Sequence, residues 1–301
     1  MAKKDSIAAR EKRRKAIGFF FTVVVLLYVL LPMAWMGISS FQTERTLQSR
    51  PPTFTISPET GTLNHYRFIF TGEVPPGASI MLQAMYTMEG THVLPAIKNS
   101  IIVALIVTFL NLIIGVPAAH AFARVKFRGS EALFLSIFAT RMLPAISIVI
   151  PMFIIFRAWG ILDTLQGLII INLAITLPFT LWLLRSYFAA LPLEVEEAAL
   201  IDKASRLKIL LRIILPMAKP GMVASAAFVF MITFGEFIFA LNLTQTINSK
   251  TMPVVIAALA TGMSGSKGLI AAASIMSFIP AIIIAVIFRK QLIDGLTQRF
   301  Q

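Results

Sequence analysis

The sequence predicts an all-α integral membrane protein with six transmembrane helices. Of its 301 residues, 57% are hydrophobic and 14% are charged, and the mean hydropathy is +0.82. A soluble domain cannot bury that much apolar surface, so this composition favours a bilayer as solvent. Because a spanning helix needs about 20 mostly apolar residues, we assign the spans to six apolar runs, at 17–38, 96–121, 132–156, 166–188, 221–243 and 266–288.

The net charge of +13 is distributed in a way that predicts the orientation of the chain. If the N-terminus is cytoplasmic, 19 of the 27 Lys and Arg residues fall in cytoplasmic segments, at 1–16, 122–131, 185–220 and 289–301. This bias follows the positive-inside rule and predicts that both termini are cytoplasmic, N-in and C-in. The basic residues therefore indicate membrane topology, and we expect no nucleic-acid partner. The absence of cysteine excludes disulfides and thiolate metal sites.

The first apolar run also resembles a signal peptide. It is longer than an h-region of about 7–15 residues and no convincing small-residue cleavage site follows it, so we predict that it is retained as the first span. One membrane domain then covers 17–288, between a basic cytoplasmic N-terminus at 1–16 and a cytoplasmic tail at 289–301. The larger predicted loops are an inner loop at 189–220 and two outer loops at 40–95 and 244–265.

The inner loop contains an ordered polar stretch, EEAALIDKASRLKILLRIILP, at 196–216. From Glu194 to about Leu211 the sequence has no Pro or Gly and favours a helix. Its acidic residues precede its basic residues, which suits the helix macrodipole. These properties leave two interpretations open: a short helix that inserts into a groove of a partner protein, or an amphipathic helix that lies on the bilayer surface.

This stretch resembles the EAA loop of binding-protein-dependent ABC importer permeases. The resemblance rests on the identity and spacing of three elements: Glu197-Ala198-Ala199, position 203, and Ile213-x-Leu215-Pro216. Three further stretches are similar to the carbohydrate-uptake (maltose-type) subfamily: HAFARVKFRG at 120–129, the segment 140–170, and FGEFIFALNLT at 234–244. The family normally has Gly where this chain has Lys203, so we expect the turn there to be built differently or to be straighter.

The resemblance implies a type I ABC importer permease fold and a transport subunit that is not itself an enzyme. It would lie in the cytoplasmic (inner) membrane, in contact with lipid, and import a sugar or sugar derivative. The implied partners are a sister permease in a heterodimer, two ATP-binding cassette subunits that carry ATP and Mg²⁺, and an extracytoplasmic solute-binding protein that meets the outer loops. No cofactor or metal is expected on this chain.

In this family the EAA loop is the helix that couples the permease to an ATPase subunit. The resemblance therefore assigns the coupling role to one set of residues: Glu197, Ala198, Ala199, Leu200, Asp202, Lys203, Ile213, Leu215 and Pro216. We expect Glu197 to make a charge-assisted contact with a basic residue of the ATPase.

Two charged residues lie inside predicted spans, Arg141 in the third and Glu236 in the fifth. An unpaired charge in a span is costly, so we expect these two either to pair with each other or to line the solute pathway. Phe237 and Asn242 are the neighbouring candidates for the pathway. Other polar residues of the spans are expected to form hydrogen bonds between helices: Asn172, Thr176 and Thr233.

The histidines give no metal signal. His120 lies at an inner helix end without a second His or a carboxylate at ligand spacing, and His65 and His92 are expected to be solvated in the outer loop. The nearest match to a phosphate-binding loop, GMSGSKG at 262–268, has the wrong spacing, so ATP chemistry is expected on a separate chain.

Two alternatives remain beside sugar import. The same machinery could carry another small polar solute, such as a glycerol phosphate or an osmolyte. A protein of a different class, a self-sufficient secondary transporter, would need paired inverted repeats and coupling-ion sites, and we find neither in the sequence.

Overall fold

The computed structural model describes residues 2–51, 53–74, 83, 86, 88–125, 127–261, 265–291 and 293, with the backbone alone at 2–12 and 88. The chain forms two compact units. The first comprises Met1–Thr91 and Leu259–Met276, and the second comprises His92–Ala258 and Ser277–Gln301.

The described residues are mostly helical. The chain begins with α1 (Ala2–Ser40), α2 (Glu44–Leu47), α3 (Asn64–Thr71) and α4 (Met88–Thr91). It continues with α5 (Val93–Arg124), α6 (Ser130–Ala139), α7 (Ala145–Ala158) and α8 (Leu165–Ala189). The inner-loop region holds α9 (Leu193–Ile201), α10 (Arg206–Ile209) and α11 (Leu215–Phe234). The last helices are α12 (Ile238–Leu243), α13 (Met252–Thr261) and α14 (Lys267–Ile287).

In the described part of the chain, five helical segments are long and apolar enough to cross a membrane. The number is six if the bent pair α6–α7 forms one span. The predicted all-α membrane class with six spans is therefore confirmed. Two of the predicted spans nevertheless differ in form from the expectation, the third and the fifth.

The third span is not one straight helix. A 3-10 turn, Thr140–Met142, follows α6, and the chain then bends by 95° before α7. The bend lies at Leu143, whose backbone is extended (φ −71°, ψ 126°), and at Pro144, which precedes α7. A residue before proline is sterically disfavoured in the helical region, so Pro144 explains why the apolar run 132–156 breaks.

The fifth span begins earlier and ends earlier than predicted. Helical backbone runs from Arg206 to Phe234, because a π-helical segment, Leu210–Ile214, joins α10 to α11. There the Leu215 N–H bonds to the Leu210 carbonyl, and the next residue, Pro216, has no N–H to donate. The span stops at Gly235, and the segment 238–243 is the separate short helix α12.

The loops contain more helix than the sequence indicated. The second predicted outer loop, 244–265, contains the apolar helix α13, which is too short to cross a bilayer. The first, 40–95, contains α2, α3 and α4, and it also includes residues that lie outside the described part of the chain. Residues 262–264 of the GMSGSKG stretch, and 292 and 294–301 of the tail, are likewise outside it.

The second unit is built around α5, α8 and α11. Close approach of α5 and α8 requires Gly115, since a Cβ there would lie 2.7 Å from Cγ2 of Thr180. Asn111 of α5 is fully buried, donates to the Thr176 hydroxyl at 2.8 Å and accepts from the Thr180 hydroxyl at 2.9 Å. These bonds confirm that Thr176 bridges helices. Asn172 is also buried, but it bonds within its own helix, to the Leu168 carbonyl.

The first unit contains a buried polar cluster, which corrects the expectation that His65 is solvated. His65 is 1% exposed and forms hydrogen bonds with the Gln42 carbonyl (2.9 Å) and the Tyr86 hydroxyl (3.2 Å). Burial lowers the pKa of His65, and burial together with the charge of Glu44 raises the pKa of Tyr86 to about 12. Glu44 accepts from the Gly268 N–H and the Ser266 hydroxyl at the start of α14. His92, also expected in solvent, is half-buried.

Candidate functional site

The inner loop forms two helices separated by a sharp turn, so the continuous helix predicted from Glu194 to Leu211 is wrong. Helix α9 ends at Ile201, with Asp202 as its C-cap. The next residue, Lys203, adopts the left-handed conformation (φ 59°). The Lys203 N–H bonds to the Leu200 carbonyl (2.9 Å), and the Ala204 N–H bonds to the Ala199 carbonyl (3.1 Å). This pair of bonds is a Schellman motif, which closes a helix C-terminus.

Lys203 therefore keeps the turn that the family builds with Gly. A left-handed conformation costs an L-residue with a Cβ about 1 kcal/mol relative to Gly. The next helix starts at once, because the Ser205 side chain accepts from the Lys208 N–H and caps α10. The expectation of a straighter or differently built turn is therefore wrong, because Lys203 adopts the left-handed conformation at the position where the family normally has Gly.

One face of α9 is buried and the other is exposed. Ala199 is 8% exposed and packs in an apolar cluster with residues of α5, α8, α10 and α11, including Phe188 and Ile214. Most of the predicted coupling residues of α9 and its turn lie on the exposed side: Glu197, Ala198, Leu200, Asp202 and Lys203. Ile201, at the end of the helix, is 81% exposed. In the described part of the chain, the Glu197 side chain makes no hydrogen bond or ion pair.

A buried ion pair holds α9 against the end of α5. Arg124 Nε donates to Glu196 Oε1 at 2.7 Å, and the two side chains are 13% and 12% exposed. A second nitrogen of Arg124 donates to the Leu191 carbonyl at 2.7 Å. His120 Nε2 lies 3.5 Å from Glu196 Oε2. The arrangement fixes the position of α9 relative to the spans.

Sequence reasoning missed this ion pair. It treated Glu196 only as part of an acidic cluster, and it found no carboxylate near His120, which is wrong because Glu196 lies close to it. The partners are 72 residues apart in the chain, so spacing within one helix could not reveal them. A basic residue at the end of a span, here Arg124, was the available signal.

The remaining coupling residues lie where α10 continues into α11. Ile213 and Leu215 are partly buried against the same apolar cluster as Ala199, and Pro216 is exposed. The predicted coupling residues therefore fall into two groups. One group, on α9 and its turn, is available to a partner, and the other joins the loop to the fifth span.

The structure does not pair Arg141 with Glu236, so the predicted ion pair is wrong. Glu236 follows the end of α11, and its carboxylate accepts from the N–H groups of Phe239 (2.8 Å) and Ala240 (3.0 Å) at the start of α12. Arg141, at the bend between α6 and α7, donates to the Ile175 carbonyl at 2.9 Å. Glu236 thus bonds to backbone N–H groups at the start of α12, and Arg141 bonds to a carbonyl within α8, contacts that sequence spacing does not show.

Phe237 directly precedes the short helix α12, and Asn242 lies within it. Phe237 is 36% exposed, and Asn242 is exposed and donates to the Ile238 carbonyl at 2.7 Å. The structure therefore groups Glu236, Phe237 and Asn242 at one helix break, with Arg141 at another.

The turn after α12 is anchored by Asp163. This residue lies before α8 in the left-handed conformation, and its carboxylate accepts from the N–H groups of Gln245 and Thr246 and from the hydroxyls of Thr246 and Ser249. Partial burial opposes ionisation, but the hydrogen bonds prevail and lower the pKa of Asp163 to about 2. Asn99 of α5 donates to two further carbonyls of the turn, those of Ile247 and Lys250. Asp163 was not among the residues predicted from sequence.

Comparison with known proteins gives a consistent result. Residues 112–298 match the family described as binding-protein-dependent transport system inner membrane component. The trehalose/maltose transport system permease protein of Thermococcus litoralis is 35% identical over 291 residues, which cover 96% of this chain and 97% of that protein. The trehalose transport system permease protein of Mycobacterium tuberculosis is 33% identical over 288 residues, which cover 95% and 97%.

A solved structure has a similar fold. It belongs to a bacterial ABC transporter involved in the import of the acidic polysaccharide alginate, and it matches with a TM-score of 0.71 at 22% identity, over 91% of this chain and 95% of that chain. The family match covers more than half of the sequence and includes the whole inner loop. The chain therefore belongs to the family of inner membrane components of binding-protein-dependent transport systems.

Proposed function

We propose that this chain is a permease subunit of an ATP-driven importer that moves a sugar or sugar derivative into the cytoplasm. Full-length similarity to two permeases that are named for trehalose or maltose transport supports the substrate class. The family assignment argues against a self-sufficient secondary transporter. The structural observation that carries the mechanism is α9, a short helix that is held by a buried ion pair and leaves one face open.

The open face of α9 suits a protein partner better than a bilayer surface. It combines exposed apolar side chains, Leu200 and Ile201, with the carboxylates of Glu194, Glu197 and Asp202. Carboxylates are repelled by the anionic cytoplasmic leaflet, which attracts basic segments instead. A groove on an ATPase subunit with a basic residue opposite Glu197 would satisfy both kinds of group, and that contact would contribute about 1.5–3 kcal/mol.

The ATPase subunit would act on the permease through this contact. Helix α9 is joined rigidly to α5 by Arg124 and Glu196, and the inner loop continues without interruption into α11. A movement imposed on the loop is therefore passed to the spans rather than absorbed by a flexible linker. ATP and Mg²⁺ would be bound by the ATPase, and the energy of hydrolysis would enter this chain only as displacement.

The helix breaks at Gly235 and Pro144 are the proposed positions of the solute pathway. A lipid-exposed guanidinium in a span is unfavourable, so the exposed part of Arg141 would face a water-filled path. Glu236, Phe237 and Asn242 would line the other break. The outer turn held by Asp163 would meet the solute-binding protein, with both termini in the cytoplasm and the chain in the cytoplasmic membrane. A sister permease in a heterodimer and two ATPase subunits would complete the importer.

The test is ATP hydrolysis by the assembled importer in lipid nanodiscs, with its solute-binding protein and a panel of sugars. Stimulation by one sugar would support the proposal and identify the substrate. Hydrolysis that responds to glycerol phosphate or to an osmolyte, but to no sugar, would refute the sugar assignment and retain the coupling mechanism.

Two α9 variants test the coupling itself. Glu197→Ala should reduce co-purification of the ATPase subunits and stimulated hydrolysis. Glu194→Ala, also an exposed glutamate of α9, is the matched control and should change both much less. Equal behaviour of the two variants would remove Glu197 from the proposed contact.

A further inference from the structure

Two adjoining cavities lie on one side of α5 in the second unit. The first, which we call the basic pocket, has a volume of about 410 Å³ and is lined mainly by His120, Arg124, Leu193, Glu196, Arg206 and Leu207. The second, which we call the apolar groove, has a volume of about 380 Å³ and is lined mainly by Phe109, Leu112, Ile113, Val116, Leu211 and Met222. Leu207 and Leu210 line both, so the pocket and the groove adjoin at these two side chains.

One stripe of α5 runs through both cavities. Its side chains recur every three or four residues, the spacing of a single helix face, and they change character along the helix: Phe109, Leu112, Ile113, Val116 and Pro117 line the groove, and His120, Ala121, Arg124 and Val125 line the pocket. The stripe is apolar within the span and polar at its end.

The length of this stripe matches one leaflet of a membrane. From Phe109 to Arg124 a helix rises about 22 Å at 1.5 Å per residue. Half of a bilayer, with its headgroup region, is about 20–22 Å thick. The groove therefore lies at the depth of acyl chains when the pocket lies at the depth of headgroups.

The charges of the pocket leave a basic group free. Glu196 is paired with Arg124, whereas the Arg206 side chain has no ion-pair or hydrogen-bond partner within the described residues. Glu197 lies at the exposed rim. A pocket with two arginines and two glutamates suits a headgroup that carries both a phosphate and a positive charge, and basic pockets at the cytoplasmic ends of spans bind lipid headgroups.

We propose that these cavities form a phospholipid-binding site, with an acyl chain in the apolar groove and the phosphate at Arg206 in the basic pocket. A phosphoethanolamine headgroup, which carries a phosphate and an ammonium, fits the pocket charges. The bound lipid would fill the space between α5 and α9 and border Glu197 and Leu200, which line the pocket and also belong to the face that we assign to the ATPase. The site does not depend on the sugar assignment, and the measurement below requires neither ATP nor sugar.

The test counts phospholipids retained by the full-length chain, extracted in mild detergent with its partner subunits, by native mass spectrometry. Competing phosphatidylethanolamine is titrated to give an apparent affinity. Two variants remove the site: Arg206→Gln removes the free charge, and Ile113→Trp fills the groove. Arg206→Gln should weaken phospholipid binding about tenfold, the effect of one charge-assisted contact, and Ile113→Trp should abolish binding by excluding the acyl chain.

Matched controls come from the same helices. Ile114 lies next to Ile113 on α5 and is also exposed (41% against 53%), but it does not line the groove. Arg212 is exposed in the same loop as Arg206 and lies outside the pocket. Ile114→Trp and Arg212→Gln should bind as the unmodified chain does. Arg206→Lys should restore most of the binding that Arg206→Gln loses, which separates loss of charge from misfolding.

Three outcomes would overturn the proposal. The first is equal phospholipid retention in all four glutamine and tryptophan variants. The second is that diacylglycerol displaces the bound lipid as effectively as phosphatidylethanolamine does. Because diacylglycerol lacks the phosphate, this result would show that the phosphate does not contribute to binding. The third is that the chain retains no lipid and that a crosslinker placed at position 113 reacts with a partner subunit, which would show that the partner fills the groove.

Discussion

The two adjacent glutamates of α9 should respond in opposite ways to the same substitution. Glu196 is buried in an ion pair with Arg124, whereas Glu197 is exposed and has no hydrogen-bond or ion-pair partner among the residues that the structure describes. We predict that Glu196→Gln lowers the stability of the chain. Glu197→Gln should leave stability unchanged and reduce coupling to the ATPase.

The size of the effect at Glu196 follows from its geometry. At 2.7 Å and an effective dielectric constant near 20, the Coulomb attraction is about 6 kcal/mol, but desolvation of both charges offsets much of it. Removing one partner of a buried pair typically costs about 3–5 kcal/mol. Glutamine retains an acceptor for Arg124, and the Leu191 carbonyl still accepts from it, so we expect about 2–3 kcal/mol.

The assay is reversible unfolding of the full-length chain in mixed detergent micelles, followed by helical circular dichroism. A double-mutant cycle with Arg124→Gln isolates the pair, and we expect a coupling free energy of at least about 1 kcal/mol. Stimulated ATP hydrolysis by the assembled importer is measured on the same variants. It should fall in Glu197→Gln by a factor that stability cannot account for.

Two results would refute this reasoning. Equal losses of stability at both positions would show that α9 does not present the faces described. A coupling free energy near zero in the cycle would show that the ion pair contributes nothing beyond its desolvation.

Three other sites give simpler predictions. Lys203→Gly should stabilise the chain by about 1 kcal/mol in the same unfolding assay, because it relieves the left-handed turn, and Lys208→Gly within α10 should destabilise it by a similar amount. Since hydrogen bonds lower the pKa of Asp163 to about 2 from 3.8, its contribution is present above pH 4 and is lost as the pH falls from about 4 to 2. Solvent screening limits that loss to about 1 kcal/mol, and Asp163→Asn should abolish the pH dependence when melting is followed between pH 2 and 6. Asn111→Leu leaves the buried Thr180 hydroxyl without its acceptor, whereas the Thr176 hydroxyl still donates to the Asn172 carbonyl, and it should cost about 1–3 kcal/mol of unfolding free energy.

Composition and motif spacing were sufficient for the fold class and the family. A long apolar run predicts a membrane span whatever tertiary contacts it makes. The EAA spacing identifies a loop whose backbone hydrogen bonds are mostly between residues close in sequence. The turn at Lys203 shows the limit of such reasoning. Its residue type argued against a left-handed conformation, yet the Schellman bonds and the cap at Ser205 compensate for the local cost.

Long-range polar partners were the part that the sequence could not predict. Arg124 and Glu196, Asp163 and Ser249, and Asn111 and its threonines are separated by 65 or more residues. Nothing in their local pattern distinguishes them from solvated groups. The Arg141–Glu236 pairing failed for the complementary reason, since each charge has a backbone partner instead: the N–H groups at the start of α12 for Glu236 and the Ile175 carbonyl of α8 for Arg141.

The uninterrupted helical run from Arg206 to Phe234 has a mechanical consequence. Its 29 residues correspond to about 43 Å at 1.5 Å per residue, with the inner loop at one end and the break at Gly235 at the other. A tilt of about 10° around its midpoint would displace each end by about 4 Å in opposite directions, by the geometry of a rod of that length. Glu236 lies just beyond the far end of this run. A displacement of the inner loop by about 4 Å would therefore move the break at Gly235 by a similar distance in the opposite direction.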